Sequence, residues 1–346
     1  MSSPATSWNT AGPKPKLHGP TKRAAIWLSL LAVIMAIAYL ILGESMIGPG
    51  RVWLALTGRG SEEDTIIINS LRAPRLVIAM LVGASLAIAG AILQSVIRNP
   101  LAAPDVVGIT GGASLGAVIF LTVLPGVVSI QFLPLAAIIG AFLAASLVYL
   151  LAWKKGVNSM RLVLVGIGVA SLLSAGTSFL LAFSPAYSAI SAYIWLTGTI
   201  YGSSWTHVAA LLPWTAVLLV IVYFNSRNIH AQLLGDELAI GLGSPLQRHR
   251  LLLVLLSVAL AGSAVSIGGV IGFVGLIAPH MARRLVGPVM NRVLPISALL
   301  GAIVVIVADL IGRTIFLPLD IPVGVFTSAI GAPFFIYLLY RSRNRM

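Results

Sequence analysis

Residues 76–97 read LVIAMLVGASLAIAGAILQSVI, twenty-two positions without a charge, closed by Arg98. An α-helix rises 1.5 Å per residue, so this run covers about 33 Å and matches the roughly 30 Å of hydrocarbon in a bilayer. Further apolar runs follow the same pattern at Ala24–Leu42, Val106–Leu124, Leu133–Trp153, Leu162–Phe183, Val208–Phe224, Leu251–Ile267, Gly268–Leu285, Leu294–Ile311 and Val323–Leu339. Only a glycine-rich bend at Ser266–Gly269 divides the seventh span from the eighth. Composition agrees: 58% of residues are apolar, 9% are charged, and the mean hydropathy is +1.02. A soluble domain carries roughly 25% charged residues because its surface faces water. The fold class is therefore an all-α polytopic membrane protein of about ten transmembrane helices.

The charges orient it. With both termini in the cytoplasm, seventeen basic residues fall inside and five (Arg51, Arg59, Arg72, Arg75 and Arg313) fall outside, accounting for all 22. That asymmetry follows the positive-inside rule. Merging the seventh and eighth spans would carry the C-terminal arginines outside and spoil it. The net charge of +13 is thus an orientation signal, and no nucleic-acid partner is expected. The polar, proline-bearing residues 1–23 read as a disordered cytoplasmic tail and 24–342 as one transmembrane domain, with 343–346 as a short C-terminal tail. The Ala24–Leu42 run exceeds the roughly 7–15 apolar residues of a signal peptide, so it reads as a retained span.

Small residues recur on helical faces. Gly108, Gly112 and Gly116 form one set, Ala79, Gly83 and Ala87 another, and Gly268 and Gly272 repeat the spacing. Helices in lipid associate largely by close packing over such residues. Residues 83–108 faintly echo 262–287 in the opposite orientation, as an inverted repeat would, although alanine and glycine bias alone could produce the echo.

Enzyme chemistry finds little support. The P-loop needs Lys followed by Ser or Thr, whereas the five lysines precede Pro, Leu, Arg, Lys and Gly. Any ATPase would be another polypeptide. Cysteine is absent and the five histidines are scattered, so neither a cofactor nor a metal centre is expected. The acids close to spans, Glu44, Asp105 and Asp309, fall near span ends, leaving no midplane carboxylate for an ion-coupled carrier. His280 follows Pro279 and reads as a hydrogen-bonded packing residue. The largest cytoplasmic connection, residues 225–250, contains GDELAIGLGSP. Short helices broken by Gly241 and Gly243 would make a docking element there, and a solvated loop explains the composition equally well.

The stretches LRAPR (71–75), GASLAIAGAILQSVIRNPLAAPDVVGITGGA (83–113), GDELAIGLG (235–243), GFVGLIAPHMARRLVG (272–287), ADLIGR (308–313) and IPVGVFTSAIGAPFFIYLL (321–339) together resemble the FecCD family, permeases for iron–siderophores, haem and cobalamin. They run in the family's order and spacing from span two to the C-terminus. The resemblance implies a ten-span subunit of the bacterial cytoplasmic membrane, working with a second permease subunit, two ATP-binding-cassette ATPase subunits and an external substrate-binding protein. It implies that Arg72, Arg75 and Arg313 are exposed cations that grip glutamates of the binding protein, although arginine at a span end also snorkels to the interface. It implies that Asp236, Glu237, Gly241 and Gly243 belong to a coupling loop whose two short helices sit in clefts of the ATPases. It matches Asn99, Leu101, Ser159 and Met160 to a cytoplasmic gate, where ordinary turns between spans are the competing reading. The aromatic segment 184–206 matches one containing an external gating helix, and an interfacial aromatic belt would account for the same residues.

Overall fold

The computed structural model describes residues 19–241, 243 and 245–343. Among these, ten helices occupy the ten expected spans: α1 (Gly19–Ile41), α2 (Ala73–Ile97), α3 (Ile109–Val123), α4 (Leu133–Leu151), α5 (Ser159–Phe183), α6 (Trp205–Phe224), α7 (Leu246–Gly268), α8 (Val274–Val286), α9 (Met290–Thr314) and α10 (Val323–Arg343). No strand is formed among the described residues; Trp153 and Val157 make one isolated bridge. Seven of the helices are individually long and apolar enough to cross a membrane, while α3, α8 and the apolar part of α10 are shorter. The structure starts α1 at Gly19, so residues 19–23 form its first turn where the sequence suggested a tail. Residues 1–18 and 344–346 of the expected tails lie outside the described residues.

Burial separates centre from periphery. Over the most apolar 18 residues, 78% are buried in the span containing α2 and in α7, and 61% in α9, against 11% in α1 and 22% in α5. A central helix has neighbours on every side, whereas a peripheral one keeps apolar surface for lipid or a second subunit. The small-residue faces explain how the centre packs. A Cβ on Gly83 would stand 2.3 Å from the Gly301 carbonyl oxygen, and one on Gly112 2.3 Å from that of Gly140. Glycine lets α2 meet α9, and α3 meet α4, backbone to backbone. Gly272 makes no such approach: the nearest atom to its Cβ position is Ser328 Oγ at 3.7 Å.

Two irregularities position the functional ends. Before α2 the chain winds through π-helical turns at Ile66–Arg72. Pro74 supplies a local reason, since it has no N–H for the Ser70 carbonyl and its ring crowds that group. At the expected bend, α7 ends at Gly268 and α8 begins only at Val274, with Phe273 held at φ 66° between them. A bulky residue with positive φ is costly by itself. Its ring is held against Gly331, where a Cβ would sit 2.2 Å from Phe273 Cγ.

Candidate functional site

Polar side chains gather at the two ends of the bundle. At the end assigned outside, Arg72, Arg75, Arg313, Glu44, Tyr201 and Asp320 line a cavity of about 580 Å³. The three arginines lie at the end to which the charge pattern assigns them, but they are not the exposed cations that the resemblance implies: they retain 5%, 9% and 9% exposure. Arg72 Nη1 donates to the carbonyls of Leu40 (2.7 Å) and Ile41 (3.1 Å), and Nη2 donates to that of Ser45 (2.5 Å). It thereby caps the C-terminus of α1, whose last carbonyls lack helical partners. Arg75, in the first turn of α2, pairs with Asp309 of α9 at 2.7 Å and with Asp320 of the following loop at 2.5 Å. Asp309 is fully buried and also accepts the Tyr39 hydroxyl at 2.5 Å. Arg313 stacks 3.8 Å from the centroid of the Tyr39 ring and donates to the Tyr39 carbonyl. The cluster therefore fastens α1, α2 and α9 together. Charge bookkeeping divides its members. Arg75 is neutralised twice, whereas Arg72 and Arg313 have no carboxylate in salt-bridge contact among the described residues.

At the opposite end, residues 225–250 form two short helices, Ser226–Leu233 and Asp236–Gly241. Gly235 (φ 98°) makes the turn between them and Gly243 (φ 76°) the turn after, both in the region that favours glycine. Of the four coupling-loop residues, Asp236 turns inward and Glu237, Gly241 and Gly243 are exposed. The Asp236 carboxylate meets Arg250 of α7 at 2.8 Å and Arg98, just past α2, at 3.3 Å. Beside Glu237 the short helix presents Leu238 and Ile240, 63% and 61% exposed, while Ala239 faces the bundle and is fully buried.

The four residues expected at the gate differ in burial. Asn99 and Met160 are exposed, and Leu101 is half-buried. Asn99 Oδ1 accepts from the Leu101 N–H at 2.9 Å, closing a tight turn before Pro104. Ser159 is buried and donates to the Val96 carbonyl at 2.8 Å, so it pins the start of α5 to the end of α2. Asn158 caps α5 by accepting from the Met160 N–H at 2.8 Å. The external aromatic segment contains a helix, Ala186–Leu196, on which Trp195 is buried while Tyr187 and Tyr193 are exposed. His280 packs edge-on to Phe334 as a packing residue would, yet its Nε2 has no hydrogen-bond partner among the described residues, contrary to the expected hydrogen-bonded histidine.

Comparison with known proteins resolves the family. Residues 30–341 match the FecCD transport family. The chain belongs to the FecCD family. A FecCD relative from Dickeya dadantii, the achromobactin transport system permease protein, is 50% identical over 91% of this chain and 90% of its own. The iron(3+)-hydroxamate import permease FhuG of Bacillus subtilis is 41% identical over 95% and 99%. The cobalamin import permease BtuC of Halobacterium salinarum is 39% identical over 95% and 90%. A solved structure described as a metal-chelate type ABC transporter in an inward-facing conformation superposes with a TM-score of 0.81, at 30% identity, over 92% of this chain and 99% of that one. This FecCD chain is an integral membrane protein built as a permease of that fold.

Several FecCD side chains in these clusters escaped the sequence reading: Tyr39, Arg98, Arg250 and Asp320, and the structural weight of Asp309. An acid one turn inside an apolar helix is itself a signal that a partner is present, and Asp309 carried it. Nothing in the sequence joins Asp236 to Arg250, because that link depends on how the loop folds back.

Proposed function

We propose that the chain is the transmembrane permease subunit of an ATP-binding-cassette importer that moves iron(III)–siderophore complexes inward across a bacterial cytoplasmic membrane by alternating access. The observation that carries this is the match, over 91% and 95% of the chain, to permeases named for achromobactin and iron(3+)-hydroxamate, at 50% and 41% identity. Without a P-loop lysine, the chain takes its ATP hydrolysis from separate ATPase subunits. Those subunits receive the short helix Asp236–Gly241, with Leu238 and Ile240 as apolar contacts and Glu237 beside them. A second permease, identical or homologous, covers part of the exposed peripheral helix surface and leaves a translocation path between the two. Asn99, Leu101 and Met160 narrow that path at the cytoplasmic end, and the buried Ser159 fixes the second turn from behind. A loaded binding protein docks over the outer cavity through Arg72 and Arg313, the two cations of the cluster that hold no salt-bridged acid among the described residues, while Arg75 holds the frame.

The burial of these arginines dictates which substitutions can test docking. Reversing Arg72 to Glu would set a carboxylate against three backbone carbonyls, so loss of capture could follow from damage to α1. Arg72→Gln with Arg313→Gln removes charge, while Arg72→Lys with Arg313→Lys keeps it. Docking by charge predicts that binding-protein capture falls with the Gln pair and persists with the Lys pair; equal capture by both sinks it.

A second reading, cobalamin as cargo, draws on the 39% identity to BtuC. An ion-coupled carrier is disfavoured because Asp309, fully buried, is already taken by Arg75 and Tyr39. The deciding measurement is uptake in a deletion strain of radiolabelled iron on a siderophore panel, of labelled haem and of labelled cobalamin. Loss of ferric-siderophore uptake, restored by the gene, is expected. Loss of cobalamin or haem uptake alone would replace the cargo, and unchanged uptake throughout would refute the assignment.

A further inference from the structure

The coupling helix is joined to both of the turns assigned to the gate, to one by an ion pair with Arg98 and to the other by hydrogen bonds through Arg250. Asp236, at its first turn, holds two arginines on different elements. Arg98 immediately precedes Asn99, so the 3.3 Å contact from Asp236 to its guanidinium reaches the residue that leads into the first gate turn. That residue adopts the left-handed conformation (φ 56°) that terminates α2, and its guanidinium also lies over Gly235, where a Cβ would come within 3.2 Å of Nη1. Arg250, fully buried, donates from Nη2 to the Asp236 carboxylate at 2.8 Å and from Nη1 to the Val157 carbonyl. Val157 stands two residues before Ser159 and three before Met160, in the second gate turn. Gln247, one turn earlier on α7, clasps the same peptide: its Oε1 accepts from the Val157 N–H at 3.0 Å and its Nε2 donates to the Val157 carbonyl at 3.3 Å. Gln232 of the preceding short helix completes the set by accepting from Arg250 Nη2 at 3.3 Å.

We propose that Asp236, Arg98 and Arg250 form a transmission node in which one carboxylate on the coupling helix holds both gate turns, so that displacement of the helix by the ATPases moves Asn99 and Met160 together. The node rests on the coupling-loop reading above, and its members are positioning residues that touch no cargo. A carboxylate shared between two guanidiniums has discrete alternative pairings. Such an element can convert a small shift into a change of state, and the chain of bonds is contiguous from helix to gate. Burial distributes the work. Arg250 is enclosed and fixes the second turn, whereas Arg98 and Asp236, 35% and 31% exposed, are free to separate.

The test uses the whole transporter in proteoliposomes, with its ATPase subunits. The chain has no cysteine, so Met160→Cys gives a single thiol on this subunit at an exposed gate position. Its maleimide labelling rate is compared with and without ATP plus vanadate. In Asp236→Asn and in Arg98→Gln the ATPases should still co-purify, while the ATP-dependent change in labelling falls by about five-fold or more, the lower end of typical coupling between sites. Asp236→Glu should restore it. A merely structural role would alter yield and monodispersity but leave the nucleotide response of the folded fraction intact. If ATPases co-purify and both variants respond to ATP like the parent, the node is overturned and the docking reading stands. If the parent itself fails to retain ATPases, both fall together. Should Asp236→Asn not assemble, Arg98→Gln, a change on a part-exposed side chain, decides alone.

Discussion

The two ends of the bundle use the same chemistry, arginine against aspartate, to different effect. Outside, Arg75 is pinned by Asp309 and Asp320 at 2.7 and 2.5 Å, with Asp309 fully buried and further bonded to Tyr39. Inside, Asp236 is 31% exposed and shared between Arg250 at 2.8 Å and Arg98 at 3.3 Å. A buried, fully satisfied pair resists separation because removing one partner strands an unpaired charge in low dielectric. A half-exposed carboxylate can release the part-exposed Arg98, with water taking its place, while it stays on the enclosed Arg250. The outer cluster therefore behaves as a clamp on α1, α2 and α9, and the inner one as a joint between the short helix Asp236–Gly241 and the turns proposed as the gate.

The comparison can be broken by stability measurements on the detergent-solubilised protein. The largest loss is expected for Arg75→Met, which leaves Asp309 buried beside Tyr39 alone and should cost about 3–5 kcal/mol; unfolding followed by fluorescence or size-exclusion elution reads it. Asp236→Asn keeps an acceptor near Arg250 and should cost about 1.5–3 kcal/mol, the range for a hydrogen bond to a charged group. Equal destabilisation by these two changes would erase the distinction between clamp and joint. Arg98→Gln removes a part-exposed contact and should cost less than about 1 kcal/mol, while still diminishing the ATP response at the gate. Leu238→Asp sharpens the picture from the other side. On the exposed face of the coupling helix it should shift stability by only about 0.5 kcal/mol or less and yet abolish ATPase co-purification. Retention of the ATPases by that variant would move the docking face elsewhere.

The ten spans were legible because a bilayer imposes a length and an apolar composition on every helix that crosses it, and the Ser266–Gly269 bend marked the break between α7 and α8. The close approaches of Gly83 and Gly112 were legible from small-residue spacing. The charge pattern placed Arg72, Arg75 and Arg313 on the outer side together with Arg51 and Arg59, and the resemblance of LRAPR and ADLIGR to FecCD motifs singled out the first three. Their burial was missed because hydropathy records where a residue lies along the membrane normal and carries no information on what surrounds it. Gly272, spaced like a packing glycine, makes no tight contact because it falls in the break before α8, where helical periodicity no longer applies.

What the sequence determined by itself was therefore everything set by the solvent: a helical membrane domain, its spans, the sidedness of its basic residues and, through ordered motifs, its FecCD family. What only the tertiary structure decided was partnership. Asp309 lies 234 residues from Arg75 in the chain, and Arg250 lies 93 residues from the Val157 carbonyl it binds. Bonds of that reach depend on which helices pack side by side, and side-chain periodicity within one helix does not encode its neighbour. The same physical fact separates the buried arginines of the outer clamp from the half-exposed Asp236 of the inner joint: each is a charge at a helix end, and only the packing around it fixes whether it holds or moves.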